Sequence, residues 1–228
     1  MGGAILLPTA GCVENLGLAD RSDSGQDVEG CTQVEEWDAD ISSGLAEPPP
    51  GSIADRRDCA NADRPEPTGD VCETFTVEGE DGKATEIHSV GVQPYPDPPS
   101  GFDRETLREF VKKYERAYNQ NQTVSGDGAN IVLFSFGVQD TTVSTASGGV
   151  SSVVVEYSTV VRLYRRDGSG ALAEGFWAGA HYGIDETGIV RAEVDDPEFY
   201  IEDLPDPVET GNLLQCFSSG RSGQSEDH

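Results

Sequence analysis

Lysine, histidine and methionine are scarce in this chain: three lysines stand beside twelve arginines, with three histidines and one methionine. No Cys-x-x-Cys pair and no Cys/His cluster occurs, because the histidines are only His88, His181 and His228, so no metal site and no cofactor is expected. Long apolar runs are missing as well, none reaching the roughly 18 residues of a membrane-spanning helix. Positive charge is short throughout. Fifteen Lys plus Arg face 42 Asp plus Glu over 228 residues, a formal net charge of −27. That balance excludes nucleic acid as a partner through a basic face, since such binding rests on cations neutralising phosphates.

Acid in this excess has two readings. A disordered acidic chain lacks aromatics and periodicity, whereas the stretch from Phe75 to Val194 has both. The other reading is adaptation to concentrated salt, where charges are screened over about 3 Å at 1 M and dense carboxylates become tolerable. The periodicity favours the second.

What is present begins at the N-terminus. Ala4-Ile5-Leu6-Leu7-Pro8-Thr9-Ala10-Gly11-Cys12 has the form of a lipoprotein signal, an apolar run leading through small residues to a cysteine. Lipidated at Cys12, the chain would sit on the extracellular face of the cell membrane with that anchor as its membrane partner. No Lys or Arg precedes Cys12, and the apolar run is shorter than the usual 7 to 15 residues or so. Either translation starts upstream of Met1 or the match is coincidental. Five cysteines leave an odd one, and giving Cys12 to the lipid leaves Cys31, Cys59, Cys72 and Cys216 for two disulfides. Three pairings are open; Cys59 with Cys72, closing a short Pro-rich loop, and Cys31 with Cys216 is the favoured one.

Four segments follow: a signal-like stretch 1–12, an acidic Gly/Pro/Ser-rich tether or disulfide-pinned arm 13–70, a globular domain 71–210 and a polar tail 211–228. Within the arm, Trp37 beside Val34 and Ile41 reads as a plug on the domain surface. The domain opens with a hairpin, 72–77 and 85–93, around Glu80-Asp81-Gly82-Lys83. Prolines from Pro94 to Pro99 stop it, and Asp103 caps a helix from Arg104. Leu107, Phe110, Val111, Tyr114, Ala117 and Tyr118 fall on one face of that helix. Strands 130–138, 150–164, 172–182 and 189–194 follow, separated by Gly-rich turns. The fold class is therefore α+β: an antiparallel meander covered on one face by a single amphipathic helix, with an irregular N-terminal arm. Helix followed by long strands resembles cystatin and NTF2-like folds.

The signal, the acid-rich and lysine-poor composition, and the stretches 93–99 and 110–119 together resemble secreted lipoproteins of extremely halophilic archaea. The resemblance implies a location and a salt habit. It assigns no catalytic residue.

Candidate chemistry is thin. Alternation places Trp177 and His181 on one side of their strand, with Ala171, Ala173, Gly175 and Gly179, so Trp177, His181 and Tyr157 are the candidate pocket residues; a wet or arm-covered sheet face explains the pattern as well. Glu115 is expected to point sideways toward Lys112 or Arg108. Asn121-Gln122-Thr123 is a sequon expected just past the helix, making Asn121 a glycosylation candidate. No same-face Ser, Cys or carboxylate partner is evident for His181. A surface-anchored binding or interaction module is therefore favoured, with an unidentified protein or small molecule as ligand. A hydrolase or isomerase built on a pocket, and a structural envelope protein, are the alternatives.

Overall fold

The structure, a computed structural model, describes residues 48–67, 73–78, 83–145, 149–164, 169–175, 177–194 and 203–217. Cys12, Cys31, Trp37, Cys72 and the segment 1–12 lie outside the described residues. In chain order come α1 (Ile53–Arg56), β1 (Thr74–Glu78), β2 (Ala84–His88), α2 (Arg104–Asp127), β3 (Ile131–Thr145), β4 (Ser151–Tyr164), β5 (Gly170–Glu174), β6 (Ala178–Asp185), β7 (Gly188–Val194), α3 (Pro207–Thr210) and β8 (Asn212–Cys216). β1 and β2 pair as a separate hairpin. The other six strands form one antiparallel sheet in the order β3-β4-β6-β7-β8, with β5 on β4. No described helix is long and apolar enough to cross a membrane.

α2 starts where expected, since the Asp103 carboxylate accepts from the amides of Glu105 and Thr106 at 3.1 Å each. It ends at Gly128, whose φ of 53° is a left-handed value that favours glycine. Its face of Leu107, Phe110, Val111, Tyr114 and Ala117 packs on Val153, Val155, Tyr157, Ala180 and Tyr182 of the sheet. The helix runs past Tyr118 although residues 119–123 are all polar, because two of those side chains pair with the segment before it. Gln120 donates to the Gly91 carbonyl at 2.8 Å; Asn121 donates to the Gln93 carbonyl at 2.9 Å and accepts from its amide at 2.8 Å. Asn121 thus lies inside the helix, 1% exposed, which corrects the glycosylation reading.

Two further corrections come from the strands. The segment 172–182 is not one strand. β4 pairs Val160 with Glu174 but Tyr157 with Ala178, so one extra residue on the β5–β6 side makes a bulge at Gly175. A Cβ at Gly175 would stand 2.5 Å from Thr159 Oγ1 and 3.0 Å from its carbonyl oxygen, so only glycine fits there. The bulge shifts the parity: Ala171 and Ala173 share the face of Tyr157 and the helix, and His181 faces the other way. The second correction is at the C-terminus. Residues 212–216 form β8 on the edge of the sheet, and Leu213, Leu214 and Phe217 are buried, so the first part of the expected tail, 211–217, belongs to the domain.

The back face of the sheet, away from α2, is divided. One half carries a small core of Val150, Val190 and Leu213 with Ile53 of α1 and Val208 of α3. Gly183 allows the approach of α3, since a Cβ there would meet Val190, Val208 and Pro207 within 2.9 to 3.3 Å. The other half is open, with Leu133, Arg162 and Leu172 aligned across three strands and exposed.

Candidate functional site

Residues 48–67 build the site, and they do so by joining the domain rather than tethering it. Ser52 caps α1, and the amide of Ile53 donates to Asp185 in the β6–β7 turn at 2.7 Å. The same carboxylate accepts from Thr187 and Gly188, whose turn in turn holds the amide of Ala54 through Thr187 Oγ1 at 3.0 Å. Arg57 reaches across to the end of α3, donating to the carbonyls of Val208 at 3.0 Å and Gly211 at 2.6 Å. Cys59 is bonded to Cys216 of β8, which overturns the favoured pairings of Cys59 with Cys72 and of Cys31 with Cys216. The loop they close is set by sheet topology, invisible in local spacing. Beyond the disulfide the amide of Asp63 donates to the Leu213 carbonyl at 2.9 Å, laying the arm along β8.

Between this arm, Tyr118 of α2 and residues 212–214 of β8 lies an open cleft of about 680 Å³. That volume falls in the range of small-molecule sites, roughly 300 to 1,000 Å³. Three of the twelve arginines line it, Arg56, Arg57 and Arg64, together with Asp58 and Asp63. On a chain of net charge −27, this local balance leans the opposite way. Arg56 is engaged by Asp206 at 2.9 Å and Glu209 at 3.6 Å. Arg64 is held by Glu66 and Gln215 and lies over the Tyr95 ring at 4.4 Å.

Behind the cleft, under α2, sits a polar group that the sequence reading misplaced. Glu115 is fully buried, and instead of Lys112 or Arg108 it receives both Nε and Nη2 of Arg191 at 3.0 and 2.9 Å. Lys112 pairs with Glu109 and Arg108 with Glu105. Tyr182 donates to Glu115, Asn119 donates to it at 2.8 Å, and Arg191 also reaches Tyr157 Oη at 3.3 Å and lies 4.3 Å over the Tyr118 ring. Burial works against the Arg191 charge, but Glu115 outweighs it and holds the guanidinium above its ordinary range. Burial, followed by the Glu115 charge, raises the phenols of Tyr157 and Tyr182 as well. Tyr118 links this pair to the cleft wall.

The expected pocket of Trp177, His181 and Tyr157 is not brought together. Tyr157 belongs to the core under α2, stacked on Phe136 with centroids 5.2 Å apart. Trp177 stands at the break before β6, 59% exposed. His181 is buried on the back face, and the partner that seemed missing comes from the neighbouring strand: Ser152 Oγ lies 2.6 Å from its Nε2. Burial brings the imidazole down to about 4, only partly offset by Asp206 and a hydrogen bond to the Pro205 backbone. A serine hydrogen-bonded to a neutral histidine is the start of a nucleophile–base pair, yet both are buried and neither lines the cleft. His88 is exposed, with Glu86 3.6 Å from its Nε2.

The arm residues were the missed part of the site. Their signal was present in Ser52-x-x-Asp55, a cap spacing that announces a helix inside a Pro-rich stretch. No protein-family model, no curated protein and no solved structure matches the chain.

Proposed function

We propose that this chain is a surface-anchored, salt-adapted binding module: a lipoprotein held to the outer face of the membrane through Cys12, carrying a domain that takes a small charged ligand in the cleft between arm and β8. The observation that carries this is the gathering of Arg56, Arg57 and Arg64 with Asp58 and Asp63 around one open 680 Å³ cleft. Charged groups at such density give a ligand orientation and specificity more than raw affinity. The disulfide and the Asp185 turn support the reading, because they fix the arm and so hold the cleft in shape before a ligand arrives, which reduces the ordering cost of binding.

The test is a thermal-shift panel on the folded protein in concentrated potassium chloride, with amino acids, short peptides, sugar acids and phosphate esters as separate classes. At least one class raises the midpoint, and the rise disappears in Arg57→Glu. A panel in which no class moves the midpoint contradicts the reading. For the anchor, the Cys12→Ser protein passes into the medium while the unaltered one partitions into detergent; equal release of both contradicts it.

A further inference from the structure

Among the described residues, three of the charges around the cleft are left without an opposite charge, Arg57, Asp58 and Asp63; the Asp58 carboxylate is already engaged by the neutral donors of Ala60 at 3.0 Å and Asn61 at 3.3 Å, which leaves Arg57 and Asp63. Arg57 donates only to neutral backbone carbonyls, those of Val208, Glu209 and Gly211, and among the described residues it has no carboxylate partner. A guanidinium offers five N–H donors, so the fork is not exhausted by those three bonds. Asp63 is the converse. Its amide is committed to Leu213, but its side chain is exposed and has no cation or hydrogen-bond donor among the described residues. Both residues line the same cleft, one on each side of the disulfide-bonded Cys59 in sequence, and yet they are not paired with each other. The other two arginines differ, since Arg56 and Arg64 already hold carboxylates.

We infer that the cleft takes a short peptide with free termini, its carboxylate on Arg57 and its ammonium on Asp63. The inference rests on the reading of the cleft as the ligand site. A ligand carrying both charges satisfies both residues at once, whereas a simple anion leaves Asp63 as a repulsive neighbour and a simple cation leaves Arg57 so. Volume decides between a free amino acid and a peptide. About 680 Å³ exceeds what one residue fills, and the walls supply contact for the rest, Tyr118 with its ring and Pro65 with apolar surface.

The experiment is calorimetric titration of the full chain, in concentrated potassium chloride, with the tripeptide alanyl-phenylalanyl-alanine, its N-acetyl form and its C-terminal amide. The free tripeptide binds, and each cap weakens it by about ten-fold, the order expected for one charge-assisted contact. Asp63→Asn weakens the free tripeptide by a similar factor and leaves the N-acetyl form unchanged, because the same contact is then removed twice. Arg57→Gln does the same with the amide. Arg57 also caps α3, so a loss of folding in that variant is met by the capped ligands, which test the same contact on unaltered protein. Binding indifferent to both caps overturns the inference. So does a tripeptide that fails to bind while another class in the thermal-shift panel succeeds, an outcome that leaves the cleft reading standing. If no class binds, both fall.

Discussion

His181 makes acid stability a measurable consequence of the back face. Its imidazole is brought from the ordinary 6.5 down to about 4, mainly by burial, so the fold favours the neutral ring. For a group whose folded value is depressed in this way, the contribution to stability is fully present above the unfolded value and is lost as pH falls toward the folded one. The window is therefore about pH 6.5 to about pH 4. The difference of about 2.5 units corresponds to roughly 3 kcal/mol in full, of which about 2.5 kcal/mol is lost between about pH 7.5 and about pH 4.5. Asp206 faces the same ring, and its own value is depressed chiefly through the hydrogen bond from Arg56, against the effect of burial, so it adds to acid sensitivity separately. His181→Gln isolates the histidine. Urea unfolding of both proteins at fixed high salt should show the unaltered protein losing about 2.5 kcal/mol more than the variant over that interval. Parallel curves would mean that the imidazole protonates inside the fold without cost, and the placement of His181 against Ser152 and the Pro205 backbone would be wrong.

Other consequences are as direct. Arg191→Ala leaves Glu115 charged and buried and lowers stability by about 3 to 5 kcal/mol in denaturant unfolding, while an apolar replacement of both residues is far milder; a loss below about 1 kcal/mol contradicts the buried pair. Non-reducing peptide mapping recovers Cys59 with Cys216; Cys59→Ser costs about 2 to 5 kcal/mol, and a Cys59–Cys72 peptide contradicts the assignment. Peptide mass spectrometry finds Asn121 unglycosylated, and Asn121→Ala costs about 1 to 3 kcal/mol because both backbone groups of Gln93 lose their partner. The unfolding midpoint rises steeply from about 0.1 M to above about 2 M potassium chloride as the repulsion among 42 carboxylates is screened; a midpoint that does not move contradicts salt adaptation.

The elements visible in the sequence were those with a local signature. α2 announced itself by its apolar face and the Asp103 cap, the first hairpin by Asp81-Gly82, and the β6–β7 hairpin by its turn at Asp185 to Gly188; each element is present, although α2 runs on to Asp127, β2 ends at His88 and β6 begins only at Ala178. What local pattern could not carry was anything decided across strands. A one-residue bulge at Gly175 reversed the faces of everything behind it, and with them the company of His181. Glu115 sits beside Tyr114, with Lys112 and Arg108 as the partners its own helix offers; only the fold brings Arg191, 76 residues away, to it. The arm, expected as a tether or a disulfide-pinned piece, is pinned through Cys59 to Cys216, and local pattern left those alternatives open for a similar reason. Its Gly, Pro and Asp content is that of a linker, and its attachment lies in Asp185, Thr187, Leu213 and Cys216, all more than 100 positions downstream. The cleft, made of arm and β8, was out of reach until those contacts were known.

Amide hydrogen exchange of the full chain, with and without the most stabilising ligand of the thermal-shift panel, tests the location of the site most directly. Slowed exchange confined to residues 56–65 and 212–214 is the predicted result. Protection at the open half of the back face, around Leu133, Arg162 and Leu172, with none at the arm, would contradict the account.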